Sequence, residues 1–279
     1  MQAIDVAIDA AHRAGSHIRE HFGRPQRTEM KSPTEIVTQV DRDAEQIIVR
    51  TIREAFPGDD FLGEEGHTPQ EGAERVWVID PLDGTRNYAL GIPIFCVSIA
   101  LAVRGHMALG VIYDPLRNET FSAELGGGAF LNGVPVRQLQ RKGLNEAVVC
   151  VGMVPAQSED NPELALPMLV QMRHVVAAMR NLGSAALGLA YVASGRIDVS
   201  YQDRLSAWDM LAGALLVNEA GGVATDFHGE PIVLSSDSII AALDPDFHRV
   251  VLEIAQDVGR LRDVATAPGA VGVPQPGLD

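Results

Sequence analysis

Cysteine is nearly absent from this chain. Two occur in 279 residues, Cys96 within IFCVSIALAV and Cys150 within VVCVG, each inside an apolar run. That excludes a disulfide framework and leaves two buried free thiols, which fits a reducing cytoplasm. Positive charge is scarce too: 22 Lys and Arg face 37 Asp and Glu, for a net charge of −15. No segment supplies the basic stripe that a nucleic-acid surface needs, so no nucleic-acid partner is expected. A field of that sign attracts cations. Long apolar runs are also missing. None approaches the ~18–20 residues of a membrane helix, and MQAIDVAIDAAHRAG lacks the unbroken apolar stretch of a signal peptide. The expectation is a soluble, cytoplasmic protein with no membrane partner.

What the chain does have is apolar content, 46% of its residues, enough for a large core in one big domain or two ordinary halves. Ile4, Ala7, Ile8, Ala11, Gly15, Ile18 and Phe22 form one helical stripe, and residues 41–56 repeat it through Ala44, Ile47, Ile48, Ile52 and Ala55 until PGDD stops them. Between these helices Pro33 breaks the pattern, and IVTQV suits a short strand. From Val76 the texture turns to β-rich runs: VWVID, IFCVSIALAV, ALGVIYDP, ETFSA and VPVRQ, which predict a largely antiparallel sheet. Beyond about residue 145, AVVCVG, IDVSY, GVATD and SIIAAL alternate with helical stretches at 162–180, 184–195, 206–220 and 245–262. Residues 1–144 therefore read as an α+β half and 145–264 as an α/β half of one compact unit. The Pro- and Gly-rich tail 265–279 is expected to be flexible and outside the core.

Acids stand in unusual places. The stretch DPLDGTRNY at 80–88 ends an apolar run with two carboxylates three residues apart. Asp83 could be a helix N-cap, but that leaves Asp80 unexplained. FLGEEG holds Glu64 and Glu65 where a solvated turn would also suffice, and SAWDMLAGALLVNEAGG sets Asp209 where a helix dipole would welcome it. KSPTEIVTQVD offers Lys31 and Asp41, which alone would pass as an ordinary loop. Carboxylates gathered in a dry site raise one another's pKa, and a divalent cation resolves the conflict. Oxygen donors without His or Cys suit Mg²⁺, with Mn²⁺ as a substitute. Two ions about 3.5–4 Å apart are the arrangement used for displacement at phosphorus. Gly84 allows close approach of a ligand, the amides of Gly84 and Thr85 suit an anion, and the Thr85 hydroxyl could orient a water.

GEE at 63–65, WVIDPLDGTRNYALGIPIF at 77–95 and WDMLAGALLVNEAGG at 208–222 resemble the paired signatures of the inositol monophosphatase family, Mg²⁺-dependent and lithium-sensitive. KSPTEIVTQVD, YDPLRNETFSAELGGGAFLNG and GSAALGLAYVASGRID are similar to family segments in order and spacing, so the resemblance covers roughly residues 1–260. It implies a layered αβαβα sandwich, a homodimer, and hydrolysis of a small phosphorylated metabolite with two or three Mg²⁺ ions. By residue match, Glu64, Asp80, the Leu82 carbonyl, Asp83 and Asp209 are the implied metal ligands. Asp83, Gly84 and Thr85 are implied on the phosphate. Glu64 and Thr85, the latter backed by Asp41, would orient and deprotonate the water, with Lys31 on a mobile loop near the metals. Gly183, Ser184 and Ala185 match the substrate-side turn, and Asp209 would also contact the leaving hydroxyl.

One position departs from the pattern. Members acting on inositol phosphates carry Glu in a segment like YE-x-G, whereas YQDRLSAWD places Gln202 there, followed by Asp203 and Arg204. Either Gln202 faces the substrate or a one-residue shift brings in Asp203. Inositol 1-phosphate or a related polyol or sugar phosphate is the leading substrate. Histidinol phosphate, fructose 1,6-bisphosphate and 3′-phosphoadenosine nucleotides are the alternatives. A non-catalytic binding relative would be expected to lack one of Glu64, Asp80, Asp83, Thr85 or Asp209, and all five are present.

Overall fold

The computed structural model describes residues 2–25, 27–31, 36–136, 143–152 and 165–266, with side chains described for 167–259 of the last segment. Helix α1 (Ala3–His21) is followed by a ribbon of β1 (Thr28–Met30) and β2 (Ile36–Thr38), and then by α2 (Gln39–Ala55). The expected stripe of α1 is buried at Ala7, Ala11, Gly15 and Ile18 and widens to Val6, Ala10 and Ala14. Ile4, Ile8 and Phe22 lie half-buried at its margin. In α2 the buried face runs through Ala44, Ile48 and Ile52, while Ala55 is exposed.

Seven strands follow side by side in chain order: β3 (Asp60–Gly63), β4 (Arg75–Asp83), β5 (Cys96–Val103), β6 (His106–Asp114), β7 (Glu119–Glu124), β8 (Gly128–Leu131) and β9 (Val134–Pro135). All neighbours are antiparallel except β3 and β4. A short helix, α3 (Thr85–Ala89), leaves the end of β4. The second sheet has five strands in the order β11 (Ala178–Arg180), β10 (Val148–Val151), β12 (Val199–Asp203), β14 (Ser238–Ala242) and β13 (Val223–Thr225). Its helices are α4 (Ala165–Met172), α5 (Ala185–Ala193), α6 (Ala207–Glu219) and α7 (Pro245–Thr266).

Strand alternation sorts these elements into five layers. Trp77, Ile79, Ile99 and Val111 point to α1 and α2. Val76, Val78, Ala100 and Ile112 point the other way, into a core shared with α5, α6 and Ile239 and Ala241 of β14. Val199, Tyr201, Ile240 and Ala242 face Met168 and Met172 of α4 and Phe247 and Val251 of α7. The order is therefore helix pair, sheet, helix pair, sheet, helix pair, the expected αβαβα sandwich. The two central helices are apolar nearly all round, and every residue of α5 except Tyr191 is buried.

Two expectations are corrected and one is cut short. The helical stretch predicted over 162–180 is helix only within Ala165–Met172, and Ala178–Arg180 is a strand parallel to β10. Backbone donors and acceptors along β10 were available to be paired, and ladder bonds there outweigh the weak helical preference of RHVVAAMR. Helix α7 continues through Ala265 and Thr266, past the predicted start of the tail, whose remainder at 267–279 lies outside the described residues, as do 137–138 of the predicted VPVRQ strand and 162–164. Cys96 and Cys150 are buried free thiols.

Close packing of the central layer depends on glycine. A Cβ on Gly110 of β6 would lie 2.8 Å from the Ala212 carbonyl oxygen of α6, and one on Gly213 would lie 2.4 Å from Leu189 Cβ of α5. Backbone cannot step aside as a side chain can. Gly110→Ala is expected to lower stability by about 1–3 kcal/mol, the usual cost of overpacking. Urea denaturation should show a lower midpoint with an unchanged slope; an unaltered midpoint would mean that α6 does not ride on β6 this closely.

Candidate active site

The site begins where β4 ends. Asp80 pairs with Ser98 and Asp83 with Cys96, so three steps on β4 span two on β5. Pro81 has no amide hydrogen for the ladder, and the extra residue forms a bulge. On a regular strand, positions three apart point to opposite faces. The bulge cancels that inversion and sends both carboxylates to the same side. Asp80 Oδ1 also accepts a 2.9 Å bond from the Leu82 amide, which tightens the turn.

Other elements converge on this point. Glu64 follows β3, beside β4, and its amide donates to the Ile79 carbonyl at 3.2 Å. Asp209 is the third residue of α6, where its Oδ2 accepts from the Ser206 amide at 2.7 Å in a capping box. The Trp208 carbonyl accepts from Ser98 Oγ at 3.0 Å, which ties this helix start to β5 opposite Asp80. Oxygens of Asp80, Asp83 and Asp209 all lie within 4.8 Å of one another. Glu64 stands beside this trio, hydrogen-bonded to Asp80 and to Lys31 Nζ at 2.8 Å. Lys31 also bonds Glu65.

The Thr85 hydroxyl lies 2.8 Å from Asp41 Oδ1 and 3.0 Å from the Leu82 carbonyl oxygen. Asp41 is itself held by Thr38, whose amide donates to Oδ2 at 2.9 Å, so its two oxygens serve different partners. Gly84 has φ +98°, and a Cβ there would meet the Ile94 carbonyl oxygen at 2.9 Å. Ser184 Oγ and the Ala186 amide each donate to Asp83 Oδ2 at 2.7 Å. The Gly183–Ala185 turn therefore grips a carboxylate of the trio as well as lining the cleft.

Lys31, Glu64, Asp80, Leu82, Asp83, Gly84, Thr85, Asp209 and the Gly183–Ala185 turn line one cleft of about 510 Å³, while Asp41 stands behind Thr85 and Glu65 lies outside the lining. Gln202 lines it and Asp203 does not, because Ser200 and Gln202 point toward α5 while Tyr201 and Asp203 alternate to the other face. A Cβ on Gly152 would come 2.1 Å from Gln202 Oε1, so that glycine makes room for the amide. Two positioning residues escaped the sequence reading. Glu45 of α2 accepts the Glu65 amide at 2.9 Å and contacts His67 Nδ1 at 2.6 Å, anchoring the Glu64–Glu65 turn. Asn87 donates to the carbonyls of Ile94 and Leu182 at 2.8 Å. The only trace of Glu45 in the sequence is an acid next to the apolar stripe of α2, four residues after Asp41.

Burial sets the electrostatics. It lifts Asp80 well above the usual carboxylate range, and the charges of Glu64, Asp83 and Asp209 lift it further. Asp83 is raised by burial against the pull of Ser184 and the α5 amides, and Glu64 is raised by burial against Lys31. Asp41 is raised by burial against its bonds from Thr38 and Thr85, and Glu65 is pushed by burial to about 7. For Lys31, burial pulls downward, but Glu64 and Glu65 outweigh it and the net shift is upward. Crowded, buried, all-oxygen donors with no His or Cys among them fit a hard divalent cation.

A layered fold with such a site defines a metal-dependent phosphoric monoester hydrolase. The model of the inositol monophosphatase family matches residues 1–260, and the chain belongs to that family. It is 43% identical over 244 residues to an inositol-1-monophosphatase of Rhizobium meliloti, covering 85% of this chain and 90% of the relative. It is 42% identical over 244 residues to the Nus factor SuhB of Pseudomonas aeruginosa, with the same coverage of 85% and 90%. Among solved structures, the Thermotoga maritima IMPase superposes with a TM-score of 0.85 at 35% identity, covering 94% of this chain and 99% of that one.

The raised pKa of Asp80 carries a stability consequence. With divalent ions chelated, this group's contribution is full below its unfolded pKa, about 4, and is lost as pH rises through the higher folded value. Asp80→Asn should therefore melt above the wild type in EDTA near pH 8, with the difference shrinking toward pH 4, and should lose most of whatever melting-point rise a saturating divalent cation gives the wild type. Thermal melts with and without EDTA decide it. An Asn variant less stable than wild type near pH 8 would show that the acids do not repel as described.

Proposed function

We propose that the protein hydrolyses a small polyol or sugar phosphate, inositol 1-phosphate or a related ester, with Mg²⁺ as the resident ion and Mn²⁺ as a substitute. The observation that carries this reading is the trio Asp80, Asp83 and Asp209, with oxygens within 4.8 Å, beside the Thr85–Asp41 pair. Two or three Mg²⁺ ions held by Glu64, Asp80, the Leu82 carbonyl, Asp83 and Asp209 would polarise phosphoryl oxygens and acidify water. Thr85 has one hydroxyl proton. Donated in a hydrogen bond to Asp41, it leaves the oxygen lone pairs to accept a hydrogen bond from the attacking water, and the Glu64 carboxylate takes the one proton that the water loses as it attacks. Lys31 keeps Glu64 in place. The Gly84 and Thr85 amides donate to the phosphate, and Asp209 meets the leaving oxygen. The Gly183–Ala185 turn and Gln202 form the wall beyond.

Gln202 is neutral, so it offers no anion to a cationic substrate. This supports broad use of polyol and sugar phosphates and weak use of histidinol phosphate. The charge of −15 supports a small metabolite rather than nucleic acid as partner, and the two buried thiols support a cytoplasmic location. Membership of the family supports a homodimer. Some relatives carry the name Nus factor SuhB, which makes a binding role the second reading. The complete set of five residues favours catalysis.

EDTA should abolish phosphate release and excess Mg²⁺ should restore it; full turnover in EDTA would sink the metal assignment. Thr85→Ala should lower kcat by roughly 10²–10⁴ with the fold intact, the range for loss of a proton-transfer group, and Thr85→Ser should recover most of it. A kcat near that of the wild type for Thr85→Ala would leave Thr85 a purely structural role.

A further inference from the structure

Arg204 lines the cleft one turn of chain before Asp209, yet neither its backbone nor its side chain is at ease. Its φ is +56°, in the left-handed region that non-glycine residues avoid. The described non-glycine residues that share this property are Asn118 and Asn132, whose side chains suit it, and Arg104, in the hairpin between β5 and β6. Arg204 falls in the turn from β12 to α6, at the glycine of the YE-x-G segment. Its Nη2 is buried and has no hydrogen-bond partner among the described residues. A buried guanidinium donor left unsatisfied needs an explanation, because it loses water without gaining an acceptor. Of its chain neighbours, Gln202 is neutral and Asp203 alternates to the other face; the acids of the same cleft, Asp80, Asp83 and Asp209 with Glu64 beside them, form the cluster at the end of β4.

We propose that Arg204 is a specificity-determining residue that receives an oxyanion on the alcohol part of the substrate, so that this cleft favours phosphate monoesters carrying a second anionic group. The planar fork of a guanidinium matches a carboxylate or a phosphate with two parallel bonds, and turning the Arg204 head group further into the cleft it lines would give the buried Nη2 the acceptor that the protein does not supply. A carboxylate at 202 would repel such a group, whereas the Gln202 amide can donate to it. The backbone strain is retained because glycine, which would relieve it, has no charge to offer. The proposal rests on the phosphatase reading of this cleft and specifies its substrate class.

Two matched pairs test it. Glycerol 2-phosphate and 2-phosphoglycerate differ by a hydroxymethyl group exchanged for a carboxylate; fructose 6-phosphate and fructose 1,6-bisphosphate differ by a second phosphate. In wild type, kcat/KM should favour the anionic member of at least one pair by roughly tenfold or more, the scale of a charge-assisted bond, and the pair that responds identifies the oxyanion. Arg204→Gly and Arg204→Asn both suit the left-handed backbone, and both should collapse that ratio toward one. No anionic preference in wild type, or a preference that survives both substitutions, overturns the proposal. If none of the four esters releases phosphate, the phosphatase reading fails separately. Calorimetric binding of 2-phosphoglycerate and fructose 1,6-bisphosphate then decides: weaker binding of either one by both variants upholds Arg204 as the oxyanion site, and unchanged binding of both overturns it.

Discussion

Repulsion among buried carboxylates organises this protein. Asp80, Asp83 and half-buried Asp209 put oxygens within 4.8 Å of one another, and at Asp80 and Asp83 burial alone disfavours charge. Left free, such groups would separate or pull water in. Each is instead tied down by a bond that does not neutralise it: the Leu82 amide for Asp80, Ser184 and the Ala186 amide for Asp83, and the Ser206 amide for Asp209. The fold supplies geometry and withholds the charge, which is the condition under which a cation binds well.

The layers explain how four segments distant in sequence meet there. Both sheets press on α5 and α6, and the residues at the starts of these helices, Ser184 and Asp209, sit at the end of β4. Small residues make this possible. Gly110 lets α6 lie against β6, and Gly213 lets α6 approach α5, so that Asp209 is delivered to Asp80 by packing rather than by a flexible loop. Core and site are therefore the same construction seen at two depths.

Capping and chemistry are not rival explanations for these acids. Asp41 caps Thr38 with Oδ2 and keeps Oδ1 for Thr85. Asp209 caps Ser206 with one oxygen while offering a carboxylate oxygen to the trio. A carboxylate has two acceptors, so the local demands of a helix start and the demands of a site can be met by one residue. That double duty is also why each acid, taken alone in the sequence, looks ordinary.

Periodicity alone was enough to find α1, α2, α5 and α6, because each buries an apolar face; that α5 is buried nearly all round, between the two sheets, came from the structure. Asp80 was legible for a similar reason: a carboxylate after VWVI has no cheap structural excuse. What the sequence could not decide depended on partners distant along the chain. Ala178–Arg180 became a strand because β10 offered it a ladder. Glu45 became an anchor because the Glu64–Glu65 turn folds over it. Whether Gln202 or Asp203 faces the cleft was settled by the register of β12 against β14, since a shift of one residue exchanges the two faces of a strand. Local pattern determines what a segment can become, but only the pairing of distant backbones and the burial they enforce determines which side chains share a site.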